Sequence, residues 1–171
     1  MKFPYKRVLI VGCGGAGKST LAVAAGNKLG LPVVHLDKLW WLPDWHERDK
    51  ADFDALLNEE LKKPMWIIEG NYGRTFETRL EYADFCVLLD IPTEECINGV
   101  LARERKYRGR TRPDMTDGCK ERIDDEFRQW ITGFASDVLP QMLDVLKNCG
   151  KPYIVFDSRK AAYDWLDDLD A

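Results

Sequence analysis

Short apolar runs alternate along the chain with longer segments that show helical periodicity. The runs cover residues 7–11, 33–36, 65–68, 85–89 and 152–156, and each has the length of a buried strand. They are nearly continuous in Val, Ile, Leu and Phe, which favours strands of a parallel sheet that is covered on both faces. The pattern therefore predicts an α/β fold in which a five-stranded parallel sheet is flanked by helices.

Helices are predicted in most of the intervals between these runs. The predicted helices are residues 18–29, 50–62, 94–107, 119–134, 137–148 and 160–169. Gly30 follows the first of them, and Asp49 and Ser158 precede the second and the last, as expected for helix ends. Either Thr116 or Asp117 would cap the helix predicted from residue 119.

A glycine-rich segment between the first strand and the first helix matches G-x-x-x-x-G-K-[ST], the phosphate-binding P-loop. Its residues are Gly12, Cys13, Gly14, Gly15, Ala16, Gly17, Lys18 and Ser19, and Thr20 is the next candidate phosphate contact. Glycines let backbone N–H groups turn toward phosphate oxygens, and the helix N-terminus adds partial positive charge. Lys18 would reach the β- and γ-phosphates, and the Ser19 hydroxyl would hold Mg²⁺. The strand–loop–helix context favours an ATP and Mg²⁺ site over a chance glycine-rich turn.

Carboxylates stand at the ends of two predicted strands. Asp37 follows the second strand, and Glu69 ends the third, directly before Gly70 and Asn71. Ligands bind beyond the carboxyl ends of parallel strands, so these residues are candidates for the acceptor and metal sites. Asp37 would bind the acceptor or its Mg²⁺ shell and accept the acceptor's proton, or would only cap a helix or turn. Glu69 would hold a Mg²⁺-bound water, and it is the other candidate for the general base.

Three tryptophans lie within residues 40–45. They suit stacking on a flat ligand, and they suit the packing of a small helical flap equally well. We call residues 37–63 the flap. Arg74 and Arg79 would grip acceptor phosphate or carboxylate oxygens, or would pair with acids on a solvated helix face. The acceptor candidates are Asp37, Trp40, Trp45, Gly70, Asn71 and Arg74.

Cations are concentrated at the end of the helix predicted over 94–107 and in the loop after it. They are Arg103, Arg105, Lys106, Arg108, Arg110 and Arg112. The run continues into a segment that contains Gly109 and Pro113, which is typical of a mobile lid that brings cations to a phosphoryl group. We call residues 107–118 the lid; a solvated helix face and contact with nucleic acid are the alternatives. The candidates are Arg108 and Arg112 for catalysis and Arg103 and Arg110 for nucleotide binding.

Composition narrows the class of protein. The 171 residues are 45% hydrophobic and 32% charged, so we expect one globular domain over residues 1–171. No apolar run approaches the length of a membrane span, and the N-terminal segment lacks signal-peptide features. The net charge of −4 argues against broad electrostatic capture of nucleic acid.

The five cysteines form no C-x-x-C pair, which predicts a reducing, cytoplasmic location. The helix N-terminus would favour the thiolate of Cys13.

Further motifs, together with the P-loop, resemble the bacterial topology-modulation proteins of the adenylate-kinase-like P-loop group over nearly the whole chain. The motifs are Leu36-Asp37-x-x-Trp40, Pro43-x-Trp45, Trp66-Ile67-Ile68-Glu69-Gly70-Asn71-Tyr72, Ala83-Asp84, Leu89-Asp90-x-Pro92, Tyr107-Arg108-Gly109-x-Thr111-Arg112-Pro113-Asp114-Met115 and Gly118-Cys119-x-Glu121. That group is similar in fold to adenylate, shikimate and gluconate kinases. The resemblance therefore implies a strand order of 2-3-1-4-5, an acceptor flap and an arginine-bearing lid. It also implies a phosphate contact for Arg122.

Two classes of function follow from the sequence. The first is a nucleotide or small-molecule kinase that transfers the γ-phosphoryl group of ATP to a small acceptor. The second is a nucleotide-dependent regulator that influences DNA topology by contacting DNA or a protein, with the basic stretch facing outward. Plain ATP hydrolysis is a weaker third alternative, because no residue is evident for positioning the attacking water.

Overall fold

A central parallel sheet organises residues 2–170, the part of the chain that the computed structural model describes. The strands in chain order are β1 (Arg7–Gly12), β2 (Val33–His35), β3 (Trp41–Leu42), β4 (His46–Glu47), β5 (Trp66–Glu69), β6 (Phe85–Leu89) and β7 (Tyr153–Phe156). The sheet has the order β2-β5-β1-β6-β7, with parallel neighbours throughout. The five predicted strands and the order that the resemblance implied are confirmed.

Helices pack against this sheet. They are α1 (Lys18–Leu29), α2 (Leu36–Trp40), α3 (Lys50–Leu61), α4 (Phe76–Tyr82), α5 (Thr93–Tyr107), α6 (Asp125–Asp137), α7 (Leu139–Asn148) and α8 (Arg159–Asp167). Every residue of β5 and β6 is buried, as expected for strands that are covered on both faces. The predicted caps are confirmed: Asp49 accepts from the Ala51 N–H, Ser158 accepts from the Ala161 N–H, and Gly30 is left-handed.

The second strand is shorter than the sequence predicts. It ends at His35, and Leu36 already belongs to α2, so Asp37 lies in the first turn of a short helix. Leu36 is fully buried, and its side chain lies against Gly70, where an added Cβ would meet Leu36 Cβ at 3.0 Å. The burial of Leu36 explains why the apolar run continues past the strand.

The helix predicted from residue 119 is wrong at its start. It begins at Asp125 and is capped by the Asp124 side chain, which accepts from the Phe127 N–H. The residues before it are extended, and Glu121 pairs with Arg108 in an isolated β-bridge. Tertiary contacts explain the difference, because a helix beginning at residue 119 would break this bridge. Neither Thr116 nor Asp117 therefore serves as its cap.

The flap and the lid contact each other directly. β3 and β4 form an antiparallel hairpin whose turn residues Asp44 and Trp45 both have φ of 61°. The Thr116 hydroxyl donates to the Trp41 carbonyl at 2.6 Å, and the Trp45 indole N–H donates to the Lys120 carbonyl at 2.9 Å. The hairpin is thereby fastened to the C-terminal end of the lid.

The cysteines are free throughout residues 2–170. Cys13 is buried beneath the P-loop, and its Sγ lies 3.9 Å from the Ile131 carbonyl oxygen. The hydrogen bond with the Cys96 thiol, together with burial, raises the pKa of the Cys13 thiol. The Cys96 hydrogen bond and burial thus shift the pKa of Cys13 in the direction opposite to that expected at a helix N-terminus. Within the same residues no helix is long and apolar enough to cross a bilayer.

Candidate active site

A cavity of about 900 Å³ lies at the carboxyl end of the sheet. The P-loop, α2, the segment after β5, the lid and the start of α8 all contribute to its wall. Its size is at the upper end of the range for small-molecule sites, so that a nucleotide and a second small ligand fit together. Of the candidate residues from the sequence, the cavity is lined by Gly14, Gly15, Ala16, Gly17, Lys18, Ser19, Thr20, Asp37, Trp45, Glu69, Gly70, Asn71, Arg103, Arg112 and Arg122.

The P-loop has the close packing that its glycines permit. Gly15 has φ of 78°, and a Cβ there would lie 2.1 Å from the Cys96 carbonyl oxygen. Lys18 Nζ donates to the Cys13 carbonyl at 2.7 Å, across the loop. Burial lowers the pKa of Lys18, while the charge of Glu69 opposes that shift. Gly12 and Cys13, the first two residues of the P-loop, do not line the cavity, and the Gly12 N–H donates to Asn71 Oδ1 at 3.0 Å.

Two carboxylates meet at the P-loop serine. Ser19 Oγ lies 2.9 Å from Glu69 Oε1 and 2.9 Å from Asp114 Oδ2. His35 Nδ1 is 2.7 Å from the same Glu69 oxygen, so the strand histidine orients that carboxylate. Hydroxyl and carboxylate oxygens are ligands that Mg²⁺ accepts. No group of three His, Cys, Asp or Glu side chains in the described part of the chain forms a metal site. Mg²⁺ here would depend on nucleotide phosphates for further ligands.

Asp37 faces the cavity with 35% of its side chain exposed. The Tyr72 hydroxyl donates to Asp37 Oδ1 at 2.6 Å, and Arg112 Nη2 lies 3.9 Å from Oδ2. Burial and the charge of Glu69 raise the pKa of Asp37, while the Tyr72 hydrogen bond and Arg112 partly oppose them. A carboxylate with a raised pKa and one accessible oxygen is suited to accept a proton from an alcohol.

Arg112 is the buried cation of the lid, with 6% of its side chain exposed. Its Nη1 is 3.0 Å from Asp114 Oδ2, and its Nε is 2.5 Å from Glu121 Oε2. Arg103 Nε, from α5, lies 3.4 Å from Glu121 Oε1. One buried glutamate therefore holds two arginines at the cavity wall, where they would face phosphate oxygens.

Two acceptor candidates lie away from the cavity wall. Trp40 packs edge-on against Phe53, with ring centroids 5.4 Å apart. Arg74 forms a two-pronged pair with Asp54 of α3, with distances of 2.7 and 3.0 Å. These contacts match the packing and solvated-pair alternatives that the sequence left open. Trp45 does line the cavity, together with its neighbour Trp41.

Two lid candidates also point away from the cavity. Arg108 has 72% of its side chain exposed, and it pairs with Glu104 one helical turn earlier. Arg110 is exposed and donates to the Lys106 carbonyl at 2.6 Å. Of the four proposed lid and helix cations, the structure therefore brings Arg103 and Arg112 to the cavity and leaves the other two on the outer surface.

Several residues that line the cavity belong to none of the motifs that the sequence shows. Arg159, at the start of α8, donates to the Gly15 carbonyl at 2.7 Å and to the Ala16 carbonyl at 3.2 Å. Phe127 and Trp130 of α6 also line the cavity, and their stacked rings have centroids 6.1 Å apart.

Solved kinase structures share this fold. No protein-family model matches the sequence, and no curated protein matches it. Shikimate kinase from Acinetobacter baumannii in complex with shikimate aligns with a TM-score of 0.60 at 18% identity, over 96% of this chain and 90% of that one. Shikimate kinase from Bacteroides thetaiotaomicron gives 0.55 at 20% identity, over 95% of both chains. A gluconokinase from Sinorhizobium meliloti gives 0.55 at 14% identity, over 98% and 90%. The chain therefore has the fold of P-loop kinases.

Proposed function

We propose that this protein is an ATP-dependent phosphotransferase that moves the γ-phosphoryl group of ATP to a small acceptor. The observation that carries the proposal is the meeting of Lys18, Asp37 and Arg112 at one cavity. A phosphate-binding lysine, a carboxylate base and a lid arginine are the parts that in-line phosphoryl transfer requires. The kinase fold of the similar structures supports the same reaction class.

Each residue has a distinct task in this proposal. Lys18 and the P-loop backbone would hold the β- and γ-phosphates, and Ser19 and Glu69 would hold Mg²⁺, whose charge would offset that of the phosphates. Asp37 receives the proton of the acceptor hydroxyl as that oxygen attacks phosphorus. Arg112 compensates the negative charge on the transferred group. The flap and the lid, which are hydrogen-bonded to each other, would limit hydrolysis by excluding water from the bound ligands. We place the reaction in the cytoplasm, where ATP is supplied.

Acceptor-dependent formation of ADP tests this function. Wild type would be incubated with ATP, Mg²⁺ and pools of nucleosides, nucleoside monophosphates or common metabolites, and ADP would be measured. We expect one pool to stimulate ADP formation, and Lys18→Ala to abolish the stimulation because it removes the main phosphate contact. ATP binding by calorimetry, with no stimulation from any pool, would count against a kinase.

A second candidate is a regulator that contacts DNA, in keeping with the resemblance to topology-modulation proteins. It is favoured by the outward direction of Arg108 and Arg110, which leaves both guanidinium groups exposed. Such cations would bind the DNA backbone with an affinity that falls as salt rises. Salt-dependent DNA binding that is lost in the double variant Arg108→Ala and Arg110→Ala, with phosphoryl transfer unaffected, would support the regulator. Absence of DNA binding at low salt would exclude it.

A further inference from the structure

The carboxylate of Asp114, a lid residue, contacts the P-loop. Its Oδ2 lies 2.9 Å from Ser19 Oγ and 3.0 Å from Arg112 Nη1. Glu69 Oε1, at the end of β5, lies 2.9 Å from the same Ser19 hydroxyl. The serine that the P-loop motif assigns to Mg²⁺ is therefore in contact with carboxylates from two separate segments, the central sheet and the lid.

Around Ser19 and Arg112 lie four acids, Asp37, Glu69, Asp114 and Glu121, and three cations, Lys18, Arg103 and Arg112. Arg112 serves three acids: Asp114 at 3.0 Å, Glu121 at 2.5 Å and Asp37 at 3.9 Å. Burial alone would raise the pKa of Asp114, but the charge of Arg112 and the Ser19 hydrogen bond lower it, so that the carboxylate is ionised at neutral pH. A dication beside Ser19 would relieve the repulsion among these acids.

The donor set beside Ser19 suits Mg²⁺. This ion prefers oxygen ligands, and it is usually held by one or two carboxylates together with water and substrate phosphates. Ser19, Glu69 and Asp114 supply one hydroxyl and two carboxylates on the side of the cavity formed by the P-loop. The nucleotide, which the proposed function already requires, would complete the shell.

We propose that Asp114 is a lid-borne ligand for the Mg²⁺ that accompanies the nucleotide. The inference rests on the proposed function for the nucleotide itself, but not on the acceptor. Metal binding by Asp114 would be coupled to the position of the lid. Asp114 lies two residues before Thr116, and the Thr116 hydroxyl is hydrogen-bonded to the flap. With the Asp114 carboxylate held by a cation, the Arg112 guanidinium beside it would be available to share its positive charge with a phosphate oxygen.

Metal affinity tests the inference without an assay of turnover. Mn²⁺ would replace Mg²⁺, and free Mn²⁺ would be measured by electron paramagnetic resonance, first with protein alone and then with a non-hydrolysable ATP analogue. We expect Asp114→Asn to weaken Mn²⁺ binding about tenfold or more, because even the loss of a group that only supports a metal ligand typically costs about 10- to 100-fold in metal affinity. Asp114→Glu keeps the charge and should retain most of the affinity. Asp117→Asn, an exposed change in the same lid, is the matched control and should bind Mn²⁺ like wild type.

Binding of the analogue in EDTA separates this inference from the proposed function. Asp114→Asn should bind the metal-free analogue at least as tightly as wild type, because a negative charge near the phosphates has been removed. Equal Mn²⁺ affinity in Asp114→Asn and wild type would overturn the inference. If neither wild type nor any variant bound the analogue under any condition, the nucleotide site would be wrong and the inference would be overturned with it, whereas equal Mn²⁺ affinities in the presence of bound analogue would overturn the inference alone.

Discussion

Arg79 illustrates how one buried side chain organises the acceptor side of the cavity. Its guanidinium is fully buried and donates to the consecutive carbonyls of Gly70, Asn71 and Tyr72. The loop is held so that Asn71 reaches Gly12 and Tyr72, at φ of 43°, reaches Asp37. Burial lowers the pKa of Arg79 to about 10. The sequence suggested a group that grips the acceptor or lies on a solvated face, and the structure instead shows a positioning residue.

Arg79→Ala and Arg74→Ala should differ sharply in stability. Loss of Arg79 leaves buried carbonyls without donors and opens a cavity, so we expect unfolding free energy to fall by about 3 kcal/mol. Loss of Arg74 removes an exposed pair with Asp54, which should cost at most about 1 kcal/mol. Urea denaturation of both variants measures the difference. Equal losses would contradict the structural role of Arg79.

Tyr72→Phe should change the pH dependence of turnover. The pKa of Asp37 is already raised by burial and by Glu69, and the Tyr72 hydrogen bond lowers it. Without that bond the pKa rises further, and the carboxylate ionises only at higher pH. We expect the rising limb of the acceptor-dependent rate to move to higher pH in this variant, and to stay in place in Tyr153→Phe on the distant strand β7. An unmoved limb would mean that Asp37 is not the base.

Helices and strands could be predicted from the sequence where a local pattern of residues determines the structure. Apolar runs predicted β1, β5 and β6 because parallel strands bury both faces. The helix predicted from residue 119 failed because local propensity ignores long-range contacts. In the structure, Glu121 forms an ion pair with Arg112, and the Cys119 thiol donates to the Leu42 carbonyl at 3.1 Å. Leu42 lies 77 positions from Cys119, so no sequence window near residue 119 contains it.

The docking of the flap on the lid should depend on Gly118. This residue has φ of 89°, and a Cβ there would lie 3.1 Å from Pro43 Cβ. We expect Gly118→Ala to weaken docking by about 1 kcal/mol or more, seen as faster amide hydrogen exchange in both segments. Gly109→Ala is the control, because it has φ of 70° and open space around its Cβ. It should speed exchange in the lid alone, and identical patterns for the two variants would contradict the docking contact.

At the scale of the whole molecule, the sheet gathers distant segments at one edge. The P-loop was predictable because its eight residues are contiguous, and the strand-end acids were predictable because parallel strands end together. The contact between Ser19 and Asp114 joins residues that are 95 positions apart in the sequence. Whether Arg108 points outward or toward the cavity depends on how the preceding helix is rotated about its own axis. Such features follow from tertiary packing, which a single sequence does not display.

The fate of the γ-phosphoryl group tests the central claim most directly. Phosphorus NMR would follow ATP and Mg²⁺ with the pooled acceptors, using wild type and Lys18→Ala side by side. The account predicts a new phosphorylated species, distinct from ADP and free phosphate, with wild type and none with Lys18→Ala. ADP and free phosphate alone, or ATP that binds and remains unchanged with every pool, would contradict a phosphotransferase.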